Sequence, residues 1–133
     1  MSKIGVGIIG CGSIFGVHAD AVKKSWIAEL KAVADIKESA AKEAAIRHGC
    51  DFYTDYRKML KDPGIQAVHI CTPHYLHASM AIDALKAGKH VLTEKPVAIS
   101  VEDAAKMAET AGNCGKHLAV CFQNRFNPTS VKA

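Results

Sequence analysis

The chain has 133 residues, 49% of them hydrophobic, which is enough for one ordinary core and gives no reason to expect a second domain. Its 17 basic and 13 acidic residues leave a net charge of +4, and the basic residues are spread along the chain, so nothing favours a nucleic-acid partner. The opening stretch MSKIGVGIIG is too short for a signal sequence or a membrane span, so no membrane partner is expected.

Strand-length apolar segments alternate with helical segments, a pattern typical of a parallel sheet with crossover helices. The first strand is predicted in KIGVGIIG and the first helix in SIFGVHADAVKKS. A second strand, AELKAVADI, ends at Asp35, and the helix KESAAKEAAIRHG ends at Gly49, a residue suited to a C-terminal cap. No strand is assigned to CDFYTD, which leads into a short helix, YRKMLKDPG, that ends at Pro63 and Gly64.

The second half repeats the alternation. A strand is predicted in IQAVHICT, a helix in YLHASMAIDALKAG and a strand in HVLTE. The last unit is the helix SVEDAAKMAETAGNCG, where Ser100 and Asp103 are arranged like a capping box, followed by the strand KHLAVCF. These elements predict an α/β fold with a doubly wound parallel sheet and three α/β/α layers.

The C-terminus carries a separate signal. Asn127 is a good N-cap and Pro128 suits a first helical position, so a helix is predicted to begin only a few residues before the chain stops. So short a helix is not stable alone, and we expect the chain to be a truncated piece of a longer protein. The alternative is a frayed tail on a natural one-domain protein.

The turn after the first strand, in GIIGCGSIFGVH, has two glycines one residue apart. Gly10 suits a tight bend, and Gly12 lets the backbone approach a pyrophosphate. Backbone N–H groups up to Ser13 and the helix dipole can hold this anion without a basic side chain. Phe15 occupies the place of a third small residue, and we expect Gly16 to take over its role in helix packing. The alternative is a tight turn without a ligand.

Asp35 strengthens the dinucleotide hypothesis, because it ends the second strand about 20 residues after the glycines. A carboxylate at that place accepts hydrogen bonds from both hydroxyls of the adenosine ribose. It also repels a 2′-phosphate, which favours NAD over NADP, although Lys37 nearby leaves NADP possible. The alternative is that Asp35 only caps the following helix.

Two later loops, CTPHYLH and TEKP, are expected at the same edge of the sheet. Thr72 and Pro73 form a stiff turn whose backbone can line the cofactor. His74 and His77 stand three residues apart, which allows a metal pair, yet no acid or cysteine nearby completes it. Capping or hydrogen-bonding histidines, and no metal, are therefore predicted.

The second loop places Glu94 and Lys95 directly before Pro96, which ends the strand and allows a cis peptide bond. A lysine in this turn is aimed at the expected cleft. The alternative is an ordinary solvated lysine at a strand end.

With these features in this order, the chain resembles the Gfo/Idh/MocA oxidoreductase family over almost its whole length. The resemblance rests on GIIGCGSI followed by His18, on Asp35, on DPGIQAVHICTPHYLHASMAIDALKAGKHVLTEKP, and on QNRFNP. It implies that residues 1–124 form a Rossmann domain that binds NAD or NADP. It also implies that residues 125–133 begin the connection to an α+β substrate domain missing here. The implied enzyme oxidises a hydroxyl of a sugar, polyol or related small molecule and, at full length, is a homo-oligomer.

The resemblance also implies roles for individual residues. Lys95 would be catalytic, reaching toward the nicotinamide and the substrate hydroxyl to stabilise negative charge on oxygen or to pass a proton. Arg125 would lie near the nicotinamide or the substrate, with a surface ion pair as the alternative, and His77 would shape the loop beside the cofactor. The predicted cofactor-binding residues are Gly10, Gly12, Ser13, Ile14, Asp35, Thr72, Pro73, His77, Glu94, Lys95 and Arg125.

Five cysteines without a CxxC pair favour small core residues in a reducing compartment, and hence a cytoplasmic protein. Two other functions remain open. A stand-alone NAD(H)-binding regulatory module would leave the EKP turn without a chemical task. A methyltransferase also uses a glycine turn and an acid after the second strand, but gives the Lys-Pro loop no role.

Overall fold

Six parallel strands form one sheet in the computed structural model, which describes residues 2–122. The strands are β1 (Ile4–Ile9), β2 (Ala28–Ala34), β3 (Asp51–Tyr53), β4 (Ala67–Ile70), β5 (His90–Glu94) and β6 (Leu118–Cys121). Their order across the sheet is β3-β2-β1-β4-β5-β6. The direction of winding reverses between β1 and β4, and in such sheets a crevice opens there at the carboxyl ends of the strands.

Five helices cover the sheet, and a short 3₁₀ turn at His74–Leu76 precedes the fourth of them. They are α1 (Phe15–Lys24), α2 (Glu38–His48), α3 (Tyr56–Met59), α4 (His77–Lys86) and α5 (Val101–Cys114). Helices α1 and α2 pack on one face, and α3, α4 and α5 pack on the other. The predicted α/β fold with three layers is therefore confirmed. Within residues 2–122, every helix is too short or too polar to cross a membrane.

Each face of the sheet has its own hydrophobic core. Ile8 and Val33 point toward α1 and α2, whereas Ile70 and Val68 point toward the other three helices, and all four side chains are fully buried. A strand buried on both faces is apolar at almost every position, which explains the continuous apolar runs in the sequence. Burial of each such side chain contributes about 1.5–3 kcal/mol relative to exposure.

The edge strand β3 lies in the stretch CDFYTD, for which no strand was predicted. It pairs with β2 over three residues, from Asp51 opposite Ala32 to Tyr53 opposite Ala34. Three residues are too few for an alternation of polar and apolar side chains to show, so pairing with β2 is what defines the strand. Helix α2 ends before it at Gly49, which has the left-handed φ of +68° expected of a C-terminal cap.

The packing of α1 against the sheet corrects one expectation. A Cβ built on Gly16 would meet no atom within 4 Å, so this glycine does not take over the packing role of a third small residue. Phe15, one position earlier, turns beneath the helix into the core, where its ring meets the edge of the His48 ring with centroids 5.4 Å apart.

Candidate functional site

A cleft of about 680 Å³ opens at the carboxyl ends of β1, β2, β3 and β4. It is lined by residues 9–10, 12, 34–36, 54–57, 71–73, 75–76 and 79–80. This is the side of the sheet, and the point of reversed winding, at which ligands bind in open α/β folds.

The glycine turn forms the floor of this cleft. Gly10 has a φ of +99°, and a Cβ there would lie 2.8 Å from the carbonyl oxygen of Cys71, so only glycine fits this bend. Its N–H donates to the carbonyl of Ala34 at 2.7 Å, which joins the turn to the neighbouring strand. Gly12 is exposed, and a Cβ there would meet nothing within 4 Å, so the space above it is open to a ligand.

Helix α1 begins directly at this turn and carries no capping side chain. Ile14 occupies the N-cap position without a side-chain hydrogen bond, and the first turn has no acidic residue. Ser13 beside it is exposed. The free N–H groups at this helix end therefore keep their partial positive charge, which favours an anion.

Asp35 links the glycine turn to the start of α2. One carboxylate oxygen accepts from the N–H of Cys11 and the other from the N–H of Lys37, each at 2.8 Å. The N-cap of α2 is Lys37 itself, so Asp35 lies outside the helix. Its two hydrogen bonds support both the start of α2 and the glycine turn. A carboxylate oxygen has two lone pairs, and the acid can accept further bonds from a ligand in the cleft. Next to it, the side chain of Ile36 is 93% exposed at the rim.

Thr72 and Pro73 follow β4 and line the opposite wall of the cleft. Behind them His77 is only 1% exposed, and each of its ring nitrogens faces a carbonyl oxygen: Nδ1 that of Pro96 at 2.7 Å, Nε2 that of Thr72 at 2.9 Å. Both distances are those of hydrogen bonds, one of the two alternatives predicted for this histidine. His74 is exposed and contacts the ring of Tyr75.

The turn after β5 contains the cis bond that the sequence allowed, between Lys95 and Pro96. The side chain of Lys95 is exposed, whereas that of Glu94 is turned inward and its residue is 9% exposed. Oε1 of Glu94 lies 2.6 Å from Nε2 of His18, a buried residue of α1. Of the two charged residues in this turn, the lysine alone is open to a ligand.

Two histidines at this place, the buried His18 and the half-buried His69, were not predicted as site residues. Nδ1 of His18 lies 3.0 Å from Nδ1 of His69 on β4, behind the contact with Glu94. Burial, and then the neighbouring His18, lower the pKa of His69 to about 4, so its ring is neutral near pH 7. No local sequence pattern predicts these contacts, because His18 lies 51 positions from His69 and 76 positions from Glu94 in the chain.

Arg125, the last of the predicted site residues, lies outside the described residues. Residues 54–57 also line the cleft and were not predicted as site residues, because they follow β3, a strand that was not predicted. Cys11 lies beside Asp35, and burial and then that carboxylate raise the pKa of its thiol to about 12, which keeps the thiol protonated and inert.

Comparisons with known proteins agree with this geometry. Residues 4–122 match the Gfo/Idh/MocA family, described as an oxidoreductase family with an NAD-binding Rossmann fold. The uncharacterized oxidoreductase YrbE of Bacillus subtilis is 37% identical over 127 residues, which cover 95% of this chain and 37% of that protein. Myo-inositol 2-dehydrogenase of Thermotoga maritima is 32% identical over 123 residues, with coverage of 92% and 37%.

Among solved structures, the WlbA dehydrogenase from Chromobacterium violaceum, in complex with NADH and UDP-GlcNAcA, superposes with a TM-score of 0.95. It is 38% identical, and the match covers 99% of this chain and 39% of that one. The chain thus spans about two-fifths of the length of the relatives that it matches. Because the family match runs through the glycine turn, Asp35 and the EKP turn alike, this chain belongs to the Gfo/Idh/MocA oxidoreductases, with their NAD-binding Rossmann fold.

Proposed function

We propose that the chain is the cofactor-binding part of an enzyme that transfers a hydride between NAD and a hydroxyl of a sugar, polyol or related small molecule. The observation that carries this proposal is the position of Asp35. Its carboxylate is bonded to the glycine turn and faces the cleft where the winding of the sheet reverses. The names of the relatives, inositol dehydrogenase among them, supply the substrate class.

The residues present fit a dinucleotide along the cleft. The N–H groups of Gly10 and Cys11 donate to Ala34 and Asp35, so those of Gly12 and Ser13, with the uncapped start of α1, are the ones that suit a pyrophosphate. Asp35 suits the adenosine ribose, and the exposed aliphatic side chain of Ile36 offers an apolar surface to the adenine ring. The backbone of Thr72 and Pro73 then guides the other half of the dinucleotide toward the EKP turn.

The chemistry of hydride acceptance and return is that of the nicotinamide ring when NAD is bound. The contribution proposed for the chain is the exposed ammonium of Lys95, which can stabilise negative charge on the substrate oxygen or exchange a proton with it. Glu94 faces His18 instead, so its proposed contribution is to hold the turn. The role of Arg125, a division of the chain after residue 124, homo-oligomerisation and a cytoplasmic location stay predictions.

Titration of NADH and NADPH against three proteins tests the proposal: the wild type, Asp35→Ala, and Asp51→Ala as a control. Asp51 is an exposed acid outside the cleft, at the opposite end of its strand. We expect the wild type to prefer NADH, and Asp35→Ala to weaken NADH binding about 10- to 100-fold, because each hydrogen bond to a charged group contributes about 1.5–3 kcal/mol.

The same substitution removes the repulsion of a 2′-phosphate, so the preference for NADH over NADPH should narrow, while Asp51→Ala leaves both affinities unchanged. An NADH affinity that is the same in the wild type and in Asp35→Ala would remove Asp35 from the site. That result would also remove the observation on which the proposed function depends.

A further inference from the structure

Two buried histidines hold the turn that carries Lys95, one on each side of that residue. His18 on α1 contacts the carboxylate of Glu94, the residue before the lysine, at 2.6 Å. His77 on α4 contacts the carbonyl oxygen of Pro96, the residue after it, at 2.7 Å. Since α1 and α4 lie on opposite faces of the sheet, the turn is fastened from both outer layers of the fold.

We propose that His18 and His77 are positioning residues that together fix the backbone at Lys95 by fastening both of its chain neighbours. We call this pair of contacts the histidine clamp. The functional meaning of the clamp rests on the proposed function, because that is what gives Lys95 a chemical task. The clamp itself is a statement about the order of the turn and can be measured without a ligand.

On the first side, the ring of His18 is held at both nitrogens. It is 5% exposed, with Nε2 at Glu94 and Nδ1 at the neutral ring of His69. The two histidine rings meet edge to face with centroids 5.1 Å apart, which leaves His18 a single orientation. Its Nε2–H therefore stays aimed at the carboxylate.

A hydrogen bond explains the distance between His18 and Glu94 better than a metal site does. The sulfur of Cys121 lies within 4.8 Å of the nearest ligand atoms of His18 and Glu94, so three possible ligands are close together. Two ligands of one zinc ion, each at about 2.0–2.2 Å in a tetrahedron, stand about 3.3 Å apart. The 2.6 Å between Nε2 and Oε1 is instead the distance of a short, charge-assisted hydrogen bond.

On the second side, His77 joins two turns. Its Nδ1 lies 2.7 Å from the carbonyl oxygen of Pro96 and its Nε2 lies 2.9 Å from that of Thr72, so the ring stands between the two turns. The ring is almost completely buried and cannot exchange these partners for water. His77 thereby fixes the EKP turn relative to the turn that lines the cleft.

Fixing the backbone matters because the lysine side chain itself is exposed. A lysine has four rotatable side-chain bonds, and any disorder of its backbone adds to the spread of positions of the ammonium group. A catalytic group delivers its full effect only when it is held close to the productive geometry. The clamp reduces the part of the spread in ammonium positions that comes from motion of the Lys95 backbone.

Four substitutions test the clamp, because asparagine and glutamine place their amide groups at the positions of different ring nitrogens. The amide of asparagine reaches the place of Nδ1, and that of glutamine the place of Nε2. His18→Gln and His77→Asn therefore keep the bond to the turn, at Glu94 and at Pro96. His18→Asn and His77→Gln keep only the bond away from the turn, at His69 and at Thr72. The exposed His74, replaced by Asn and by Gln, is the control.

The measurement is the ¹⁵N relaxation order parameter of the Lys95 backbone amide in the 133-residue chain without ligand, together with the NADH dissociation constant. We expect an order parameter near 0.85 in the wild type, His18→Gln and His77→Asn, and a value below about 0.6 in His18→Asn and His77→Gln. We expect NADH affinity to change less than threefold in the two His18 variants. Glutamine is expected to keep the order at position 18 and asparagine at position 77. A general preference of the fold for one of these two residues therefore cannot produce this pattern.

Equal order at Lys95 in all four variants, or an equal loss in all four, would overturn the clamp. If the wild type does not bind NADH, the proposed function fails, while the order parameters still decide whether the clamp exists.

Discussion

At the scale of single residues, the unusual feature is how many buried histidines the molecule uses to hold its loops. His18 and His77 each contact a turn at the carboxyl end of the sheet, and His69 supports His18 from β4. A buried ring with two nitrogens can join two partners that are far apart in the chain. Few other side chains bring two hydrogen-bonding atoms to so small a space.

The low pKa of His69 makes the stability of the fold depend on pH. Because burial lowers that pKa from 6.5 to about 4, the unfolded chain binds a proton there at a higher pH than the folded chain does. Stability is therefore lost as the pH falls from 6.5 to 4, by up to about 3 kcal/mol from this group.

Urea unfolding at several pH values checks this prediction. We expect the free energy of unfolding to fall less steeply between pH 6.5 and 4 in His69→Asn, which does not titrate, than in the wild type. His74→Asn, which removes an exposed histidine, should keep the steep wild-type fall. The same slope for His69→Asn and the wild type would mean that the buried ring titrates as it does in water.

At the scale of elements, the glycine turn separates what folding requires from what binding requires. Gly10 is required by the fold itself, since its φ and its distance to Cys71 exclude a side chain. Gly12 and Gly16 both have open space where a Cβ would lie. They differ in place: Gly12 lies in the cleft, whereas Gly16 lies on the outer side of α1.

We expect Gly12→Ala to leave the free energy of unfolding within about 0.5 kcal/mol of the wild type, because the new methyl group meets no atom of the chain. Its NADH dissociation constant should rise at least tenfold, since the methyl group stands where the pyrophosphate approaches. Urea unfolding and NADH titration give the two quantities.

Gly16→Ala is the matched control for Gly12→Ala. It adds the same methyl group one helical turn away from the cleft floor and should raise stability slightly, because alanine in a helix is favoured over glycine by about 0.5–1 kcal/mol. Its NADH affinity should equal that of the wild type. If Gly12→Ala binds NADH as the wild type does, the open space above Gly12 is not a phosphate site.

At the scale of the whole molecule, the candidate binding cleft and the candidate catalytic lysine lie at different strands of the sheet. The cleft is lined by residues that follow β1 to β4, whereas Lys95 follows β5 and lies on an exposed turn beside it. The relatives are longer than this chain, which covers 37% of myo-inositol 2-dehydrogenase of Thermotoga maritima. The chemistry proposed for Lys95 is therefore a property to test in a protein of the relatives' length.

In such a protein, with a sugar or polyol that the wild type oxidises, we expect Lys95→Ala to lower the rate of hydride transfer about 10²- to 10⁴-fold. The NADH dissociation constant should rise far less than the rate falls, because the residue acts on the substrate oxygen in the transition state and lies outside the cleft lining. Stopped-flow absorbance of NADH measures the first quantity and equilibrium titration the second. Unchanged transfer in Lys95→Ala would make the residue an ordinary surface lysine.

The sequence by itself determined the features that depend on neighbours in the chain. The alternation of apolar and helical segments predicts five of the six strands and the layers of the fold. Local chemistry likewise predicts the bend at Gly10, the left-handed cap at Gly49 and the cap at Ser100, whose hydroxyl accepts from the N–H of Asp103 at 3.0 Å. Each of these rests on residues within about four positions of one another.

Only the tertiary structure decided the features that join distant parts of the chain. The strand β3 exists because β2 offers it a partner, and Phe15 is core because α1 lies close to His48 of α2. The contact of His18 with Glu94 spans 76 positions, and that of His77 with Pro96 spans 19. Such contacts leave no periodicity in the sequence, because they are set by how the layers pack and not by the local preference of any segment.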